Sequence, residues 1–204
     1  MTISRALPLL VAATVTTTIL TTGCDVLGDN NPKTTRQETE DAAQKLLKRP
    51  TLEEAEAQLT SVVDQIIAAA TELVPGIHFE TVYDRSTSLC DPPFDDTFGR
   101  KVTLQGHSGG PIPEDKWPAF LAKATELAGT VGATWTQKVR EEPGTTTSST
   151  PDPVPEYGRH DVNFFNPETG TTIRLGTDKA TFVRGSVGCY LPKDKFDNPI
   201  RPTT

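Results

Sequence analysis

Residues 51 to 73 constrain this chain more than any other stretch. Thr51-x-x-Glu54 spells a capping box, in which the threonine hydroxyl accepts the amide three residues on and the glutamate reaches back to the threonine amide. Leu52, Ala55, Leu59, Val62, Ile66, Ala69 and Leu73 then recur at spacings of three and four, and Pro75-Gly76 closes the run. A long helix with one apolar stripe must cover that stripe with something. A coiled-coil partner is one solution. A sheet is the other, and the segments that follow favour the sheet.

Ile77–Tyr83 alternates as a half-buried strand with Ile77, Phe79 and Tyr83 on one face, and Lys101–Gln105 does so with Val102 and Leu104. Cys90-Asp91-Pro92-Pro93 between them reads as a rigid loop. Glu114–Ala128 predicts a second helix with Pro118 near its first turn, a stripe of Trp117, Phe120, Leu121, Ala124 and Leu127, and Gly129 at its end. Ala133–Arg140, Arg159–Phe165, Thr171–Leu175 and Ala180–Arg184 are four further strands, the last three joined by turns at 166–170 and 176–179. The order is helix-strand-strand, then helix-strand-strand-strand-strand. Strands with one polar face each fit a mainly antiparallel sheet with two helices packed on one side, an α+β two-layer sandwich. The expected domain runs from 50 to 192. A Pro-, Thr- and Ser-rich loop at 141–156 is expected to be mobile within it, and the tail at 193–204 to be loose.

The amino terminus belongs to export rather than to the fold. Residues 1–23 read as a signal peptide, with one positive charge at Arg5 and an uncharged stretch from Leu7 to Leu20 too threonine-diluted to span a membrane. It ends in Leu20-Thr21-Thr22-Gly23-Cys24, which is similar to a bacterial lipobox, with Thr21 where leucine is usual. On this reading Cys24 is lipidated and residues 24–49 form a flexible tether with a helical end at 41–47. An ordinary secretory signal cut near Gly23 would also export the chain and leave Cys24 as a free thiol. The sequence contains three cysteines, an odd number in an exported chain. Lipid on Cys24 would leave Cys90 and Cys189 for one disulfide across 99 positions, which an oxidising envelope permits.

Removing residues 1–23 deletes Arg5 and no acid, taking the net charge from −7 to about −8. An acidic domain without a basic cluster argues against nucleic acid, and membrane attachment then has to come from acyl chains. No C-x-x-C or H-x-x-x-H spacing suggests zinc, and Asp91, Asp95 and Asp96 lack the glycine-punctuated loop of a calcium site. No metal and no cofactor is expected.

One stretch spells chemistry. Residues 104–113, LQGHSGGPIP, contain G-x-S-x-G and come within one residue of the G-D-S-G-G-P of chymotrypsin-like proteases. Pro111 and Pro113 bar the helix that a hydrolase elbow needs directly after its serine, and His107 stands where those proteases carry aspartate. A triad of another order would use Ser108 and His160 with Asp152 or Asp161, although Asp161 adjoins His160 on a strand and faces the other way. The segment therefore reads as a glycine turn with positive φ, and a serine hydrolase using Ser108 is kept as the alternative. Phe164-Phe165, with Tyr157 and Phe182 nearby, places at least one phenylalanine on the outer face or under a loop, a possible partner surface. A carrier with an apolar pocket between sheet and helices is a third option.

With the lipobox, the helix RPTLEEAEAQL…LVPG and the cysteine segments CDPPF and VGCYLP together, the chain resembles the LppA-like lipoproteins of mycobacteria and related actinobacteria. The resemblance implies a cell-envelope lipoprotein on the outer face of the membrane, non-catalytic, binding a protein or a small envelope ligand. It carries no catalytic residue to transfer.

Overall fold

The capping box at Thr51 forms as the sequence predicts: Thr51 Oγ1 accepts from the Glu54 amide at 3.2 Å, and Glu54 Oε2 accepts from the Thr51 amide at 2.9 Å. It starts α2 (Leu52–Leu73), which ends before Pro75 and Gly76, the latter at φ 94°. The computed structural model describes residues 34–142 and 159–202, with the side chains of 140–142 set aside. The segment expected to be a signal peptide, Cys24 and most of the loop expected at 141–156 lie outside the described residues.

A second capping box, Thr35-x-x-Glu38, starts α1 (Arg36–Leu46) and was open to the same reading. The Thr35 amide, and then its hydroxyl, hold the Glu38 carboxyl below the usual carboxylate range. The helical end expected at 41–47 thus begins five residues sooner, and it is packed rather than tethered: Thr39, Ala42, Ala43 and Leu46 are buried. The remaining α-helix among the described residues is α3 (Trp117–Gly129), entered through Pro118 in its first turn, with Trp117, Phe120, Ala124, Leu127 and Ala128 buried.

Eight strands form one antiparallel sheet: β1 (Glu80–Tyr83), β2 (Ser86–Leu89), β3 (Arg100–Thr103), β4 (Gly106–Gly109), β5 (Trp135–Glu142), β6 (Arg159–Phe165), β7 (Thr172–Thr177) and β8 (Thr181–Tyr190). The main path is β1-β4-β8-β7-β6-β5, while β2 pairs with β3 and β3 also pairs with β8. Residues 80–89 and 100–109 therefore act as two long strands, each broken once, the second lying along ten-residue β8. From β4 the chain crosses through α3 to the far edge and returns as the meander β5 to β8. This is the α+β sandwich expected from the sequence.

Alternation on the meander sorts the two faces. Val162, Phe164, Ile173, Leu175, Val183 and Val187 point at the helices and pack with Leu59 and Ile66 of α2 and Phe120 of α3. These side chains fill the space between sheet and helices. A second cluster closes one end, where the Cys90–Cys189 disulfide joins Leu46 of α1 and Leu191, flanked by Leu47, Phe94, Phe98 and Phe196. Arg49, between α1 and α2, locks this end. It donates to the Cys189 carbonyl at 2.7 Å and to the Glu168 carbonyl, and its guanidinium lies over the rings of Phe94 and Tyr190. Burial pushes its pKa below the ordinary arginine value.

Three sequence expectations are corrected. The tail is not loose up to residue 202: Lys193–Lys195 is a 3-10 turn, Ile200 bridges Thr97, and the Phe98 amide donates to Pro199 at 2.7 Å. Polar Ser86–Leu89, assigned to no element, is strand β2. Tyr83 does not share a face with Ile77 and Phe79, because a bulge between Thr81 and Tyr83 turns it to the outer face, 61% exposed, while Ile77 is buried.

Candidate functional site

Segment 106–109 is not a turn. It is β4, hydrogen-bonded between β1 and β8, with Ser108 opposite Glu80 on one side and Phe182 on the other. Positive φ is found among the described glycines at Gly76, Gly132 and Gly170, and not at Gly106, Gly109 or Gly110. Gly106 and Gly109 instead provide room. A Cβ on Gly106 would lie 2.9 Å from the Tyr83 ring, and one on Gly109 would lie 2.9 Å from the His78 carbonyl.

The register separates the triad candidates. Gly109, Thr181, Thr177 and His160 stand in one row across four strands, on the face that buries Thr177 and Thr181. Ser108, Phe182, Gly176 and Asp161 form the adjacent row, on the opposite face. Paired residues of an antiparallel sheet share a face, and three strand spacings are about 14 Å, so Ser108 and His160 do not meet. His160 is 5% exposed, stacks on Trp117 at 4.5 Å, and has Nε2 2.9 Å from Glu114 Oε2. Asp161 accepts from Arg174 Nε at 2.9 Å and from its Nη2, which raises the guanidinium pKa. Asp152 lies outside the described residues. Of the calcium candidates, Asp91 pairs with Lys101 at 2.7 Å and Asp95 accepts from Thr34 at 2.8 Å. Among the described residues no group of three His, Cys, Asp or Glu side chains is placed to hold a metal ion.

What the fold does present is the sheet face that carries no helix among the described residues. β7 contributes Thr172 and Arg174, β8 contributes Phe182, Arg184 and Ser186, and β6 contributes Asn163 and Phe165. Phe164 is fully buried on the core side and Phe165 is half-buried on the outer side, so the split expected of this pair holds. Trp135 of β5 lies opposite Phe165 and is 67% exposed. The Arg184 guanidinium sits 5.4 Å above the Tyr83 ring, and that of Arg174 5.6 Å above Phe182. A shallow groove of about 340 Å³ runs between them, lined by Thr103, Val139, Asn163, Thr172, Arg174 and Arg184 among others. Tyr157, named beside these residues on sequence, lies outside the described residues. Strand alternation alone points to Arg174 and Arg184. Tyr83 could not be found that way, because the bulge inverts it.

A second groove, about 470 Å³, lies between α2 and the break in the 100–109 strand, with Glu56, Asp64, Arg85 and His107 on its walls. Arg85 is taken up by a two-pronged pair with Glu56, one contact at 2.8 Å. Val63 and Leu104 share its walls with these charged side chains. No helix among the described residues is long and apolar enough to cross a membrane.

Comparison with known proteins agrees with this architecture. The crystal structure of the lipoprotein LppA from Mycobacterium tuberculosis superposes with a TM-score of 0.62 at 18% identity, covering 82% of this chain and 94% of that one. A DUF4853 family protein from Actinomyces odontolyticus gives a TM-score of 0.47 at 14% identity, covering 76% and 79%. A search of curated proteins finds no match. The family model of LppA, described as a lipoprotein confined to pathogenic Mycobacterium, matches residues 28–193. With that match spanning most of its length, the chain belongs to the LppA lipoprotein family.

Proposed function

We propose that the protein is held at the outer face of the cell membrane by acyl chains on Cys24, and that its domain is a non-catalytic module binding an envelope protein through the open sheet face. Membership of a lipoprotein family and the Leu20-Thr21-Thr22-Gly23-Cys24 segment support the anchor. The observation that carries the binding role is Trp135. A tryptophan two-thirds exposed, in a cross-strand pair with Phe165, is the kind of rigid aromatic anchor that dominates protein interfaces. Aromatic rings held by Arg174 and Arg184 extend the surface with groups that lose little entropy when a partner docks.

Two measurements test the two halves. In cells fed an alkynyl palmitate analogue, the wild-type protein should be labelled and Cys24→Ala should not; equal labelling of both would remove the anchor. A photo-crosslinking residue at Trp135 should give a discrete adduct that the same residue at Glu72, exposed on α2, does not give. Adducts from neither position, or equally from both, would remove the sheet face as the binding surface.

A further inference from the structure

Most of the described arginines of this domain are provided for. Arg49 donates to two carbonyls, Arg85 pairs with Glu56, Arg174 with Asp161 and Arg159 with Asp178, and Arg184 lies over Tyr83. Arg201 is different. Its backbone is pinned, because its amide donates to the Asp96 carbonyl at 3.0 Å next to the Thr97–Ile200 bridge. Its Nε and Nη2 are shielded from solvent, yet neither has a hydrogen-bond acceptor among the described residues. Arg100, the first residue of β3, is close by. Its guanidinium makes one long bond, 3.3 Å, to the Gly99 carbonyl, and burial followed by the Arg201 charge holds its pKa below the ordinary value. Neither arginine forms an ion pair among the described residues. A guanidinium with buried and unmet N–H donors, near enough to a second one for their charges to repel, opposes folding unless an anion joins them.

We infer that Arg201, with Arg100 beside it, forms a binding site for a phosphate-type oxyanion. The planar guanidinium fork suits such a group, and Arg201 presents two shielded donors, Nε and Nη2, in the geometry that takes two oxygens at once. The place of the site also points to where such an anion is abundant. Thr34 bonds to Asp95 one residue from Asp96, so the amino-terminal segment enters the domain beside Arg201. Nine residues lie between Cys24 and Thr34, so the chain between the two can span no more than about 35 Å. If Cys24 is acylated, which rests on the anchor proposed above, the site stays within reach of lipid headgroups. The oxyanion site itself does not depend on the anchor.

The test uses the full chain carrying Cys24→Ala, so that acyl chains cannot contribute. Titration with inorganic phosphate, followed by the arginine Nε–Hε resonances, should shift the Arg201 signal with a dissociation constant in the millimolar range or tighter. Arg201→Gln should abolish the response, and Arg201→Lys should weaken it about tenfold by losing the fork. The thermal midpoint separates binding from architecture: without phosphate Arg201→Gln should melt no lower than the parent, and phosphate should raise the parent's midpoint alone. Flotation on phosphatidylglycerol vesicles, competed by soluble phosphate, identifies the anion as a lipid headgroup, and phosphate binding without flotation identifies a free oxyanion. An unshifted Arg201 signal, or a response kept in Arg201→Gln, overturns the site. So does a lower midpoint for Arg201→Gln without phosphate, which would mark the residue as structural.

Discussion

Replacing both Cys90 and Cys189 with alanine should lower the unfolding free energy by about 4–5 kcal/mol, the chain-entropy value for a closed loop of about 100 residues. The bridge spans 99 positions with Cα atoms 5.6 Å apart. Its loop contains nearly the whole sheet and α3, so reduction frees more of the unfolded chain than a short-loop disulfide would. The local consequence adds to this. Both sulfurs lie in the end cluster with Leu46 and Leu191, which ties α1 to the carboxy-terminal segment. For a domain of this size the loss corresponds to a fall of roughly 10–20 °C in the thermal midpoint. Calorimetry of the double variant, or of the wild type with reductant, reads it directly. Faster proteolysis of α1 and of the segment after Leu191 should accompany the change. A loss below about 1 kcal/mol would mean that the reduced unfolded chain is already compact, and that the bridge ornaments a core that holds itself.

Gly188→Ala should be the most damaging single substitution to a small residue. A Cβ there would lie 1.7 Å from the Thr169 carbonyl oxygen and 2.6 Å from its carbon, with Gly170 at 2.8 Å. All three atoms are backbone, so no side chain can rotate aside. The turn between β6 and β7 would have to lift from β8, and with it the hydrogen bond from the Cys189 amide to Thr169, now 3.1 Å. We expect a loss of roughly 3 kcal/mol or more, the range of enforced overpacking with backbone shift. Gly129→Ala is the internal contrast. Nothing lies within 4 Å of its Cβ position in the last residue of α3, and the change should stabilise by about 0.5–1 kcal/mol. Urea midpoints of the two variants should move in opposite directions. If Gly188→Ala is within 0.5 kcal/mol of wild type by roughly the same measure, the close approach of turn and strand is wrong.

The candidate site was legible in part. Phe164 and Phe165 divide between core and outer face as two neighbours on a strand must, and the alternation of β7 and β8 carries Arg174 and Arg184 outward. Ser108 shows the limit. Its motif suggested catalysis, and the prolines behind it suggested a turn, yet it lies on a central strand with its histidine candidate on the other face. Gly-His-Ser-Gly has no strand propensity to read. Its pairing depends on β1 and β8, which are offered from 23 and more residues away.

By itself the sequence determined the features whose causes lie within a few turns of chain. Thr51 and Glu54 cap α2 because they are three residues apart, the stripe buries because its spacing matches 3.6 residues per turn, and Asn166 to Gly170 turns because its own side chain and glycine allow it. Tertiary structure alone decided what depends on surfaces brought together from afar. Docking of α1 on the disulfide, the order of the tail, the outward turn of Tyr83, the strand at Ser108 and the unmet donors of Arg201 are all of this kind. Polar segments such as these carry no periodicity of their own. Their conformation is set by whichever backbone partners and neighbouring charges the packed sheet presents to them.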